Sequence, residues 1–378
     1  MHVQSNIRNR RQILKLIRNR GEISRAELSK ETGLTKPTIS MIVRELTQGG
    51  YVTETGKGES SGGKRPIMLT LHPSNFYGIG IDLADEYLIR GIFCSMNGEI
   101  ITRIESGYEN NFENILNVLM TMIEKLMQYG SVDQVKGICI AASGLIDFRN
   151  NEIMHSHNFD IAVRNLAGVL KHHFGVPVLL ENRPNAAAFA EKQLGCGKNF
   201  KHLIYMSSGR GVGAGIICDG KIFRGSSGIV GEIGRMLIPF EPELEYRGKT
   251  RHLEDLSRDS TLAGMASLAK GEELSYSQIL DLYRLGDPDI ERIFHKNAKF
   301  LAYAMQIVAN ILNPEAIILG GRASELGEHY LSEFKKEFYG DGSEISSRAQ
   351  VLYSEFGRGG VSLGAAMMIN DQILNFNL

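Results

Sequence analysis

The chain has 378 residues, 42 Lys and Arg against 43 Asp and Glu, and 43% hydrophobic residues. This is a globular composition, and the length predicts two or three domains rather than one core. No uncharged apolar run approaches the roughly 20 residues of a membrane helix, and MHVQSNIRNRRQILKLIRNR lacks a long apolar signal core. A cytoplasmic protein without membrane contact is therefore expected.

The near-balance of charge hides a division. Residues 1–70 carry 13 Lys and Arg against six Glu and no Asp, net +7, which leaves the remainder at 29 against 37, net −8. A basic front end on an acidic body predicts a polyanion-binding module attached to something else.

Ile7, Ile13, Leu14, Leu16 and Ile17 trace one apolar face of a first helix, among six arginines and lysines, and Gly21 ends it. Ser24 caps a second helix with Glu27 at the capping-box position and Gly33 at the close. Thr35 or Lys36 then caps a third, with Pro37 in its first turn. Three short helices with a tight turn between the last two predict a helix-turn-helix. The third helix offers Thr35, Lys36, Thr38, Ser40 and Arg44 to a major groove, while Ile39, Ile42, Val43 and Leu46 pack inward. YVTETGKGESSGGKRPIMLTL then alternates like two strands around a glycine-rich tip. That tip, with Lys64 and Arg65, suits a cationic wing at a minor groove.

From Phe76 the pattern becomes βαβ. YGIGIDLADEYLIRGIFCSMNGEIITRIE predicts a three-stranded meander, ENILNVLMTMIEKLMQYG an amphipathic helix, VKGICIAASGLID a buried strand and turn, LAGVLKHHFG a helix and VPVLLEN a strand. HLIYMSSGRGVGAGIICDGKIFRG predicts a hairpin that IVGEIGRM continues. Helical sequence follows Ser257, and AIILGG is a strand ending in glycines.

Cys94, Cys139, Cys196 and Cys218 lie 45, 57 and 22 residues apart without a CxxC pair, which predicts reduced, buried thiols rather than disulfides or a zinc site. His155, His157, His172 and His173 are expected in solvated or hydrogen-bonding roles rather than as metal ligands.

SSGRGVGAG at residues 207–215, DGKIFRGSSGIVGEIGRM after it, LGGRASELGEHYLSEF and the winged front end, in this order, closely resemble the ROK family of repressors and sugar kinases, in particular its sugar-responsive repressors. The resemblance spans nearly the whole chain. It implies an α/β fold: a winged helix-turn-helix at 1–72, then a two-lobed actin-like, ribonuclease-H-like body. The amino-terminal lobe would be 73–195, completed by a C-terminal helix at 363–378. The other lobe, 196–362, would carry a dimerisation surface.

Residue by residue, the resemblance also implies losses. The family kinases' first phosphate loop, D-x-G-G-T, is Asp82-Leu83-Ala84-Asp85-Glu86 here, with both glycines gone and two added carboxylates that would repel triphosphate. Gly209, Gly211, Gly213, Gly320 and Gly321 survive from the second phosphate loop and the adenosine-side turn. The sugar-side motif E-N-D-A-N is Glu181-Asn182-Arg183-Pro184-Asn185, which places Arg183 on the catalytic base. An arginine stays protonated and accepts no proton.

The family's zinc segment aligns without gaps on GEIGRMLIPFEPELEYRGKTRHLE. Its ligand positions become Arg235, Glu245, Arg247 and His252, a set expected to hold charge pairs rather than a metal. Asn158, Asn182, Glu232 and Glu254 match sugar-binding positions, and Arg183 and Arg235 join them as candidates. Arg183 could bond a ligand hydroxyl, pair with Glu181 or another carboxylate, or clamp a sugar phosphate.

The expected function is a transcriptional regulator without cofactor, a repressor of carbohydrate-utilisation genes. Its partners would be a double-stranded DNA operator, a sugar, sugar derivative or cyclitol effector, and a second copy or a dimer of dimers. A residual ATP-dependent sugar kinase and a constitutive DNA-binding protein without effector stand as alternatives.

Overall fold

The computed structural model describes residues 2–58, 65–84, 87–156, 165–238, 252–340, 342 and 344–375. It opens with α1 (His2–Arg20), β1 (Ile23–Ser24), α2 (Arg25–Thr32), α3 (Lys36–Gln48), β2 (Val52–Lys57) and β3 (Ile67–Leu71), the strands ordered β1-β3-β2. Local hydrogen bonding sets the helix boundaries. The Ser24 hydroxyl accepts from the Glu27 amide, and the Glu27 carboxylate accepts from the Ser24 amide at 2.9 Å. Gly33 closes α2 in the left-handed region at φ 72. Ile13, Leu14, Ile17, Leu28, Ile39, Ile42, Val43 and Leu46 are buried together with Leu69 and Leu71 of β3, so each helix contributes one apolar face to a common core.

The chain continues through β4 (Tyr77–Ala84), β5 (Leu88–Ser95), β6 (Ile100–Gly107), α4 (Phe112–Met127), β7 (Val135–Ala142), the hairpin β8 (Leu145–Asp147) and β9 (Glu152–His155), α5 (Leu166–Phe174) and β10 (Val178–Asn182). The first large sheet is ordered β10-β7-β4-β5-β6, with the expected antiparallel meander at one side. All eight residues of β4 are buried, which accounts for its nearly continuous apolar sequence.

Next come α6 (Arg183–Gln193), β11 (Leu203–Ser208), β12 (Val212–Cys218), β13 (Lys221–Ile222), α7 (Leu253–Ser257), α8 (Asp259–Lys270), α9 (Tyr276–Arg284), α10 (Pro288–Leu312), β14 (Ala316–Gly321), α11 (Gly327–Tyr339), α12 (Glu344–Arg348), β15 (Gln350–Tyr353) and α13 (Gly360–Leu374). The second sheet is ordered β13-β12-β11-β14-β15, antiparallel from β11 to β12 and parallel from β11 through β14 to β15. IVGEIGRM does not extend the hairpin, contrary to the sequence expectation. Gly228 and Gly231 take φ of 85 and 96, and Ile233–Arg235 coil into a 3-10 turn, while the two-residue β13 pairs with β12 instead.

Two compact units result. One comprises Met1–Ile140, Asn165–Leu180 and Ala365–Leu378, and the other Ala141–Arg164 and Glu181–Gly364. The divide falls at residue 181 rather than at 196, so α6 belongs with the second unit. The cause is close packing. A Cβ at Gly215 of β12 would lie 2.2 Å from the Pro184 carbonyl oxygen, so strand and helix meet backbone to backbone. No helix among the described residues is long and apolar enough to cross a membrane.

Candidate nucleic-acid interface and ligand site

Helix α3 turns Ile39, Ile42, Val43 and Leu46 into the core and leaves Lys36, Ser40 and Arg44 exposed, together with its N-cap Thr35. Thr38 is half-buried; its amide donates to the Thr35 hydroxyl at 3.4 Å, and the two hydroxyls lie 2.9 Å apart. Arg10, Arg18, Arg20 and Arg25 are held by Glu45, Asp371, Glu31 and Glu54. Lys36 and Arg44 form no such pair among the described residues, so their charge faces solvent. Met41, 44% exposed, shares this face and was not expected. Arg65 is exposed just before β3, and Lys64 lies outside the described residues.

In the second unit the carboxyl end of β10 runs into α6. Glu181 is 4% exposed and accepts from the Asn182 amide at 2.9 Å, the Asn185 side chain at 3.0 Å and both terminal nitrogens of Arg224, at 3.1 and 2.5 Å. The Arg224 guanidinium also lies 5.0 Å from the Phe148 ring centre. Sequence reading missed both residues. Its one signal was an arginine inside the otherwise uncharged stretch IFRGSSG.

Asn182 is the N-cap of α6 by backbone angles, yet its side chain bonds outward, donating to the Gly144 carbonyl at 3.0 Å. One of the two side-chain N–H donors is thereby used, and the other and the oxygen remain. Arg183 is half-buried and takes the first helical position, with Pro184 second.

A second cluster forms where residues 232–238 meet residues 252–254. Leu237 pairs with His252, the Leu253 amide donates to Met236 at 2.8 Å, and His252 Nδ1 lies 2.8 Å from the Arg235 carbonyl oxygen. This pairing brings Glu232, Arg235, His252 and Glu254 into one neighbourhood. Glu232 lies 3.6 Å from Arg235, and the Glu254 carboxylate would be 3.1 Å from a Cβ at Gly234 and 3.7 Å from one at Gly211. Asn158, Glu245 and Arg247 lie outside the described residues.

The residues expected from the sequence to correspond to the phosphate loops have local partners. Asp82, fully buried, sits opposite Arg90 in the β4–β5 register with its carboxylate 3.6 Å from the guanidinium. Asp85 and Glu86 lie outside the described residues. Gly320 gives way to Tyr205, whose hydroxyl would lie 1.9 Å from an added Cβ. Burial pushes that phenol up to about 12. Arg322 pairs with Asp259 at 2.5 Å over the Tyr276 ring, and the Asp259 amide donates to Gly209 at 2.9 Å. An ion pair thus stands beside the retained glycines, a feature sequence reading also missed.

Comparison with known proteins gives a consistent set. The chain matches the ROK family over residues 79–372 and a winged helix-turn-helix DNA-binding family over residues 8–53. It is 33% identical to the xylose repressor of Bacillus spizizenii across 97% of this chain and 96% of that protein. It is 23% identical to the DNA-binding transcriptional dual regulator NagC of Escherichia coli, across 83% and 80%. Among solved structures, a ROK family transcriptional regulator described as a homolog of the E. coli MLC protein matches with a TM-score of 0.83 and 24% identity, across 98% of both chains. A ROK family glucokinase from Streptomyces griseus, in complex with glucose and AMPPNP, matches with a TM-score of 0.69 and 25% identity, across 77% of this chain and 98% of that one. The regulator is matched from end to end, the kinase over the body.

Proposed function

The chain belongs to the ROK family, and from that premise we propose that it is a sugar-responsive repressor whose body senses rather than phosphorylates. The observation that carries this reading is the joining of a winged module to a kinase-like body in a chain matched end to end by xylose repressors. A pentose such as D-xylose is the first effector to test; other sugars, sugar derivatives and cyclitols follow.

In this reading α3 enters the major groove, with Thr35, Lys36, Thr38, Ser40 and Arg44 toward bases and phosphates, and Lys64 and Arg65 extend the contact as a wing. Two copies reading two half-sites suit a palindromic operator. The ligand's hydroxyls meet the Asn182 oxygen, the carboxylates of Glu232 and Glu254, and Asn158, with Arg183 and Arg235 as donors. Carboxylates and amides accept the hydroxyl protons that a polyol offers in pairs. The ligand alters DNA affinity by binding one conformation of the repressor better than the other.

Phosphoryl transfer lacks its base in this reading, because the guanidinium of Arg183 accepts no proton from an attacking hydroxyl. The Asp82–Arg90 pair and the Arg322–Asp259 pair support a body that does not hold a nucleotide. Arg235 at a ligand position of the family's zinc segment supports a metal-free loop.

The test is a gel-shift titration of the full chain on an operator duplex, alongside thermal melts with D-xylose and a panel of other sugars. Ligand binding raises the melting temperature by mass action and changes operator affinity. Operator affinity that no sugar moves would refute the sensor. Turnover of ATP with any of these sugars would refute the loss of catalysis, and one tightly bound zinc per chain would refute the metal-free loop.

A further inference from the structure

Helix α13 starts in the second unit and ends in the first. Each end makes a contact with little slack. At its start, a Cβ on Gly364 would lie 1.7 Å from the Ala186 carbonyl oxygen of α6. The two helices therefore touch backbone to backbone about one turn after Asn182 and Arg183. A contact this close leaves little room for α6 to move independently of α13, because close-packed interiors transmit strain rather than absorb it.

The far end is seated on the first sheet. The Asn370 side chain donates to the Ser95 carbonyl at 2.7 Å, and Gly78 of β4 lies against Ala366, a Cβ there falling 2.8 Å from its carbonyl oxygen. One residue on, Asp371 accepts from Arg18 of α1 at 3.2 Å and from the Asn375 side chain at 2.7 Å. Arg10, Arg20 and Arg25 pair with carboxylates inside the winged module, whereas Arg18 pairs outside it. The Arg18 side chain is 11% exposed and that of Asp371 25%. A guanidinium so withdrawn from water depends on its counter-charge, so the pair holds α1 to the end of α13 more firmly than a surface bridge would.

We propose that the Arg18–Asp371 pair is the latch through which α13 conveys the state of the ligand site at the start of α6 to the winged module. The ligand half of this statement rests on the sensor reading above. The latch itself makes a claim that DNA alone can test: by reciprocity, a module that feels α13 must also be felt by it.

The experiment follows amide hydrogen exchange in the full chain, with and without a duplex that the protein selects from a randomised pool, and repeats it with D-xylose. Wild type, Asp371→Asn and the charge swap Arg18→Asp/Asp371→Arg are compared. In wild type, duplex binding changes exchange in α3 and also in the 365–373 part of α13. Asp371→Asn keeps the α3 change and loses that of α13, and the swap recovers it. The effect of D-xylose on duplex affinity falls about fivefold or more in Asp371→Asn, while its thermal shift stays as in wild type. An α13 response to duplex that is absent in wild type, or undiminished in Asp371→Asn, overturns the latch. If the variant fails to fold, the swap decides: recovery of fold with no α13 response overturns the latch, and recovery of both supports it. A wild type whose α13 answers to duplex but whose duplex affinity ignores D-xylose supports the latch and counts against D-xylose as effector.

Discussion

Helices α3 and α6 begin alike and are used differently. Each opens with a cation and then proline, Lys36-Pro37 in one and Arg183-Pro184 in the other, behind a polar N-cap. In α3 the Thr35 side chain turns back to cap its own helix, and Lys36 stays in solvent. In α6 the Asn182 side chain leaves its helix for the Gly144 carbonyl, and every residue from Asn185 to Glu191 is buried. The first is a self-contained helix presenting charge to solvent. The second gives up its cap to tertiary structure, and its cation is half-buried at the first helical position. The same local sequence signal served two chemistries because the surroundings differ.

The largest effect that would break this comparison lies behind α6. Glu181→Ala strands the Arg224 guanidinium and should destabilise by about 3 kcal/mol in urea unfolding. Glu45→Ala, which frees the more exposed Arg10 beneath α3, should cost under about 1 kcal/mol. Equal losses would mean that the two regions do not differ in how they hold charge.

DNA binding sharpens the contrast. Lys36→Ala should weaken operator binding about tenfold and lower the salt dependence by about one counterion, as read from affinity against salt concentration. Asn182→Ala should instead weaken the sugar about tenfold, since a hydroxyl acceptor is lost from the site. A titration by thermal shift checks it.

The smallest effects are in the caps. Ser24→Ala should cost about 1 kcal/mol in thermal or urea melts. The hydrogen bond from the Ser24 hydroxyl is the main reason the Glu27 carboxyl titrates below its usual range. A lowered folded value means that the stabilisation is present above the unfolded value and is lost as pH falls through the folded one. The wild-type advantage over Ser24→Ala should therefore shrink below about pH 4, and an advantage that grows in acid would contradict the capping box.

What the sequence determined by itself is what local chemistry determines. Ser24 with Glu27, Gly33 and Thr35 place the ends of α2 and α3 because caps act over three or four residues, and the spacing of Ile39, Ile42, Val43 and Leu46 fixes the outward face of α3. Motif order led only to the expectation that Asn182, Arg183, Glu232 and Glu254 share a site. The partners were decided by the tertiary structure. Arg224 reaches Glu181 across 43 residues and Arg18 reaches Asp371 across 353, while Arg90 meets Asp82 through strand register. No periodicity carries such pairings, because a buried charge takes whichever counter-charge the fold sets within reach. α6 joined the second unit for a related reason: Gly215 and Gly364 leave room for backbone contact on it, a fact visible only once strand and helix are in place.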